Sequence, residues 1–274
     1  MNTADVERFL ASQPYAVTTR ETYRRVLILL IQLDLAQLGP VELLRFVDCK
    51  GWGNSQQYVA LCACRKFLAW HFGSDHQALC ARIKRIRPRR QRVLSAKCAL
   101  DLLASFDTSN AKGARDLAIA ALALDTGLRC SELCRLRLAD VELDQQSLQV
   151  IVKGGQWGMA VYSPQTEQYL REWLAFRRAA QGVGTVFVST HGGKALTREG
   201  LQTIVKKWGV RLGFKLSPHD LRRSFATLAT IFGAPTRMVQ IAGRWNNIEM
   251  VEYYTQSLDP AMIAPFLPVA RLTA

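Results

Sequence analysis

The chain has 274 residues, 49% of them hydrophobic, and a formal net charge of +14. That length allows one large domain or two ordinary ones, and the apolar content is ample for folded cores, which excludes a wholly disordered chain. The surplus of positive charge opposes compaction unless a polyanion offsets it, and the longest tight apolar run, Val26 to Ile31, is too short to span a bilayer.

Nucleic acid is therefore the expected partner, and a membrane is not. The segment Met1 to Glu7 has no basic start leading into an apolar stretch, so no signal peptide is expected and the predicted location is the cytoplasm. Cys49, Cys62, Cys64, Cys80, Cys98, Cys130 and Cys134 form no CxxC pair and no Cys/His zinc spacing. Reduced, mostly packed thiols are expected of them.

In chain order, Thr3 is the expected cap of a first helix from Ala4. Tyr23, Val26, Leu27, Leu30 and Ile31 lie at helical spacing, predicting a second helix over 19–37 that ends near Gly39-Pro40. Pro40 opens a third through Phe46, and Asn54 or Ser55 a fourth that stops before Gly73. These four make a small helical domain over 1–81.

Residues 82–94 form a basic linker, in which Arg82, Lys84, Arg85, Arg87, Arg89, Arg90 and Arg92 stand with no acid among them. Such a run reads as a solvated connector, or as a strap along DNA phosphates that adds salt-sensitive affinity through counterion release. Beyond it, over 95–274, helices are predicted at 96–106, 113–125 and 131–137, and a hairpin at 147–153 and 157–163 about Gly154-Gly155. Helices resume at 164–180, 198–212, 218–231, 235–242 and 247–256, ahead of a tail over 257–274. The fold class is mainly α with a small antiparallel β-sheet.

Four segments carry candidate chemistry. In Ser217-Pro218-His219-Asp220-Leu221-Arg222, serine caps, proline opens and aspartate closes a capping box, which puts His219 and Arg222 on one face beside a helix amino terminus. A capped surface helix reads the same way. In Thr126-Gly127-Leu128-Arg129-Cys130-Ser131-Glu132, Gly127 ends one helix and Arg129 enters the next, with Glu132 a turn along to hold its guanidinium. A helix–helix corner with an exposed ion pair is the alternative. Lys153 stands at a hairpin turn, where lysines are usually inert. Gly243-Arg244-Trp245 leads to the paired Tyr253 and Tyr254, although Trp245 also fits a core.

Together, in order and spacing, these segments resemble the tyrosine recombinase (phage-type integrase) family. Thr126 to Leu133 looks like the box with the family's first arginine, Lys153 like its hairpin lysine, and His219 to Arg222 like its His-x-x-Arg box. Trp245 matches a position held by His or Trp, and Tyr254, nine residues on, matches the nucleophile. Arg244 to Tyr254 does not fit that spacing, and Tyr253 is the rival nucleophile.

The resemblance implies a helical core-binding domain and a tyrosine-recombinase catalytic domain. It implies catalytic Arg129, Lys153, His219, Arg222, Trp245 and Tyr254 supported by Glu132, and a 3′-phosphotyrosyl intermediate formed without cofactor, metal or ATP. The implied substrate is double-stranded DNA with core recombination sites, and the implied assembly a homotetramer on DNA, with the tail docking on a neighbouring subunit or on its own domain. Departures are the hairpin Gly-Gly-Gln-Trp-Gly-Met, without the usual basic neighbours, and Gln256 where histidine is frequent. Type IB topoisomerase chemistry, or a non-catalytic DNA-binding regulator, are the alternative readings.

Overall fold

The structure is a computed structural model and describes residues 1–86, 92–152, 155–177, 183–255 and 258. It forms two compact units, Met1–Arg89 and Arg90–Ala274, so the division falls within the basic linker.

The first unit holds α1 (Thr3–Ala11), α2 (Val17–Leu30), α3 (Pro40–Asp48) and α4 (Asn54–Phe72), followed by a 3₁₀ turn at Gln77–Cys80. Phe9, Leu27, Leu30, Leu43, Phe67 and Leu68 pack at its centre, the apolar positions of each helix turned inward. Two boundaries differ from expectation. Asn2, not Thr3, caps α1, its side chain accepting from the Asp5 amide while Asp5 accepts from the Asn2 amide. The second helix stops at Leu30 rather than 37, because side chains from a distant turn claim the following backbone. His76 Nε2 pairs with the Leu35 carbonyl at 2.8 Å, and Gln77 donates to that of Gln37 at 3.2 Å. Leu35 and Leu38 are still buried, but as part of a turn.

The second unit begins with α5 (Ala96–Ala104), α6 (Ala111–Thr126) and α7 (Cys130–Arg135). A three-stranded antiparallel sheet follows, β1 (Val141–Glu142), β2 (Ser147–Ile151) and β3 (Trp157–Val161), with Leu148 paired to both Val141 and Ala160. The unforeseen strand is β1, only two residues long and thus without a readable alternation. Then come α8 (Pro164–Arg177), α9 (Arg198–Arg211), α10 (Pro218–Ile231), α11 (Thr236–Ala242) and α12 (Glu249–Thr255).

Helix α6 is the axis of this unit. Leu117 to Ala123 are all buried, and the alanines among them let α8 and α10 approach closely. Its Asp125 accepts from the Ser163 amide and hydroxyl and the Thr166 hydroxyl at 2.6–2.9 Å, tying α8 to the end of α6. Beside the main core lies a smaller one of Phe225, Ala226, Val239, Trp245, Val251 and Tyr254, joining α10, α11 and α12. All seven cysteines are free thiols, but only Cys64 and Cys134 are buried and Cys49 and Cys80 are exposed, so they are less packed than their helical spacing implied. No helix among the described residues is long and apolar enough to cross a membrane.

Candidate active site

The site is built where three helix ends meet. Gly127 ends α6 with φ +58°, and a Cβ on it would lie 2.5 Å from the Phe225 ring, so both the turn and the packing require glycine. The reversal places Arg129 at the start of α7. Buried Glu132 accepts from its backbone amide at 2.8 Å and its guanidinium at 2.7 Å, leaving Arg129 about one-third exposed.

Ser217 caps α10 as its capping box predicts, with Asp220 Oδ2 accepting from the Ser217 amide at 2.9 Å and hydroxyl at 2.7 Å. Arg222, 2% exposed, donates to the carbonyls of Gly127 and Gly243. Its guanidinium carbon lies 4.2 Å from the centroid of the Trp245 ring. Gly243 has no side chain because a Cβ there would meet that same ring at 1.7 Å.

On α12, Tyr254 is 3% exposed, and its carbonyl accepts from the Thr227 hydroxyl of α10 at 3.1 Å. The Tyr254 ring stands edge-on to Trp245 and His219, with centroids 5.7 and 6.1 Å away.

Two cavities open on these groups. One of about 420 Å³ is lined by Arg129, His219, Arg222, Arg244, Trp245 and Tyr254, together with Val152, Gln156 and neighbouring residues of the loop before α12. The other, about 590 Å³, shares Arg129, His219 and Arg222 and continues along α9 past Arg198, Gln202 and Lys206. Of the two tyrosines, only Tyr254 lines the first cavity among the described residues.

Charge inside the site follows from burial. Desolvation, with Arg129 and Arg244 nearby, pushes the Arg222 pKa down to about 9, so it stays a cation at neutral pH but a poorly hydrated one. His219 is pushed down to about 4, by desolvation first and then by the positive charges of Arg223 and Arg222, and is neutral near pH 7. Burial raises the Tyr254 hydroxyl above its ordinary range, opposed by Arg222, Arg223, Arg129 and a hydrogen bond from Trp245.

The structure thus gathers Arg129, Glu132, His219, Arg222, Trp245 and Tyr254. Lys153 lies outside the described residues; Val152 and Gln156 line the cavity and are joined by a hydrogen bond from Val152 N to Gln156 O of 2.8 Å. Of the linker cations, Arg87, Arg89 and Arg90 also lie outside. Arg82 donates to the carbonyls of Leu79 and Ala81, Arg85 sits over Tyr58, and the Asn54 side chain donates to the Lys84 carbonyl and accepts from the Ile86 amide. Arg92 lies 3.4 Å from Asp220 and is still more than half exposed. The tail over 257–274 falls outside the described residues except Leu258.

Motif reading missed the α9 face, although Arg198, Gln202 and Lys206 at i, i+4, i+8 signal it. It also passed over Arg244, which lies inside the site. Among the described residues no three His, Cys, Asp or Glu side chains converge as a metal site would require.

Residues 92–260 match the profile of the Phage integrase family. The chain belongs to that family, the tyrosine recombinases. It is 30% identical over 270 residues to a tyrosine recombinase XerC of Xanthomonas campestris pv. campestris (strain B100), covering 91% of this chain and 83% of that protein. Among solved structures, the XerH site-specific recombinase bound to palindromic difH substrate aligns with a TM-score of 0.76 at 19% identity, over 97% of this chain and 83% of that one. A lambda integrase dimer bound to a COC′ core site aligns at 0.74 and 15% identity, over 93% and 78%. At those identities the structural matches speak to the shared fold: a mostly helical tyrosine recombinase with a small antiparallel sheet.

Proposed function

We propose that this tyrosine recombinase carries out site-specific DNA recombination by attack of the Tyr254 hydroxyl on a backbone phosphate, leaving a 3′-phosphotyrosyl link and a free 5′ hydroxyl. One observation carries the residue assignment: Tyr254 opens on the same 420 Å³ cavity as Arg129, Arg222, His219 and Trp245. A phosphodiester is an anion and repels a nucleophile until its charge is compensated. Arg129 and Arg222 fork onto its non-bridging oxygens, forming charge-assisted bonds that strengthen as the pentacoordinate transition state develops.

Neutral His219 is in the form that accepts the tyrosine proton, and its basicity rises once the phosphate charge enters beside it. Lys153 protonates the departing 5′ oxygen, and the Trp245 indole steadies the Tyr254 oxygen. Because the phosphotyrosyl link conserves the bond, the 5′ hydroxyl of another strand reverses the step without ATP or a cofactor.

We further infer that the four-helix unit is a core-binding domain, that the basic linker follows phosphates, and that the chain works in the cytoplasm as a homotetramer on double-stranded DNA. The α9 cations Arg198 and Lys206, which line the second cavity, support a DNA contact on the second unit.

Covalent trapping tests the central assignment. With nicked duplexes drawn from the native genomic surroundings, wild type and Tyr253→Phe are expected to give a denaturant-resistant adduct and Tyr254→Phe none. An adduct lost only with Tyr253→Phe would move the nucleophile by one residue. No adduct from protein that still binds the duplex would favour a non-catalytic binder.

A further inference from the structure

Arg244 has a backbone that arginine disfavours and a side chain placed where chemistry is done. Its φ is +56°, a left-handed conformation shared among the described non-glycine residues only by Gln146. Its side chain is 8% exposed and lines the cavity that holds Tyr254. A buried cation on an unfavourable backbone persists only where its surroundings fix it.

Those surroundings are specific. Arg244 Nη2 donates to the Thr126 carbonyl at 2.9 Å and Nη1 to that of Ala242 at 2.6 Å. Arg222 donates to the next carbonyl on each side, Gly127 and Gly243. The two guanidiniums are therefore parallel rungs between the carboxyl ends of α6 and α11, where helix carbonyls lack intrahelical partners. Arg244 also lies 3.9 Å from Glu132, the carboxylate that holds Arg129. Its aliphatic stem passes under the hairpin, since a Cβ on Gly158 would fall 3.0 Å from Arg244 Cδ and 3.2 Å from Val152, the residue before Lys153.

We propose that Arg244 is a positioning residue for DNA cleavage, bracing Arg222, the Arg129–Glu132 pair and the hairpin at Val152 and Gly158 against one another. This rests on the reading of Tyr254 as nucleophile. With a second rung in place, Arg222 need not hold both helix ends alone and keeps its place on the cavity wall. Both ends of the Arg244 fork are anchored on backbone carbonyls, so its loss acts on the rate of cleavage more than on DNA affinity. The effect is one of geometry, because small displacements of a phosphate clamp are expensive in rate.

The test compares Arg244→Gly, Arg244→Lys and Arg244→Met with wild type in thermal unfolding, in affinity for the nicked duplex, and in the single-turnover rate of adduct formation at saturating DNA. Glycine suits the left-handed backbone and offsets part of the loss of two buried hydrogen bonds, so Arg244→Gly is expected to fold, with an unfolding temperature below that of wild type. It should bind DNA within about twofold of wild type yet form adduct at least tenfold more slowly. Arg244→Lys should be similarly slow, since one ammonium lacks the rigid fork that reaches two carbonyls. Wild-type cleavage rates in a stable Arg244→Gly protein would overturn the proposal. So would rates that fall in proportion to thermal stability across the three variants, which would make Arg244 a folding residue only. Absence of adduct from wild type itself would instead overturn the assignment of Tyr254, and this inference with it.

Discussion

The face of Trp245 lies against the guanidinium of Arg222, 4.2 Å from ring centroid to the guanidinium carbon, while its edge meets Tyr254. In the proposed mechanism one indole thus shields the cation that binds phosphate from water and steadies the oxygen that attacks. Trp245→Phe keeps the ring face and loses the N–H, so adduct formation is expected to slow by about tenfold, the worth of one hydrogen bond to a developing charge. Trp245→Ala also removes the centre of the α10–α11–α12 core, and should cost about 3–5 kcal/mol in denaturant titration. Arg222→Ala, which empties the clamp itself, is expected to lower cleavage by about 100-fold or more. Near-normal cleavage by that variant would remove Arg222 from the site.

His219 ties stability to pH. Its folded pKa is pushed down to about 4 from an ordinary value of 6.5, so below pH 6.5 the unfolded chain takes a proton that the folded chain refuses. Wherever the unfolded state binds more protons, stability rises with pH. This group's contribution is therefore full above about pH 6.5 and lost progressively as the pH falls towards about 4. Urea titrations across that window should show a shallower decline for His219→Gln than for wild type, and parallel curves would assign the ring to an open, solvated position.

Much of this site was legible because its residues do two jobs at once. Ser217, Pro218 and Asp220 are a helix start by local rules, and the same rules put His219 and Arg222 on one face, so α10 begins and ends where its sequence says. Gly127 likewise marks both a helix end and the approach to Arg129. What was not legible depends on residues distant in the chain. Nothing near Leu35 announces that His76 will take its carbonyl, and nothing in Gly243-Arg244 announces a carbonyl at Thr126, 118 positions away. The two-residue strand β1 has meaning only through its pairing with β2.

Gly127→Ala tests how far Arg222 depends on its backbone support. The added methyl must adopt φ +58° and displace the Phe225 ring 2.5 Å away. The left-handed backbone costs roughly 1–2 kcal/mol, and overpacking adds roughly 1–3 kcal/mol. Because the Gly127 carbonyl also receives Arg222, cleavage at saturating DNA should fall even at temperatures where the variant is fully folded. A stability loss with an unchanged cleavage rate would show that Arg222 is held well enough by Gly243 alone.

Lys153 is best tested through the leaving group rather than by simple loss of activity. An alkoxide departing from phosphorus without a proton is a poor leaving group, whereas a thiolate departs readily without one. Lys153→Ala is therefore expected to cleave an ordinary duplex slowly and to recover most of its rate on one whose scissile phosphate carries a bridging 5′ sulfur. Arg222→Ala should stay slow on both substrates, because its missing charge acts on the non-bridging oxygens. The pair of variants separates proton donation from charge compensation. Rescue of both would mean that the sulfur bypasses the whole site, and rescue of neither would assign the proton donor elsewhere.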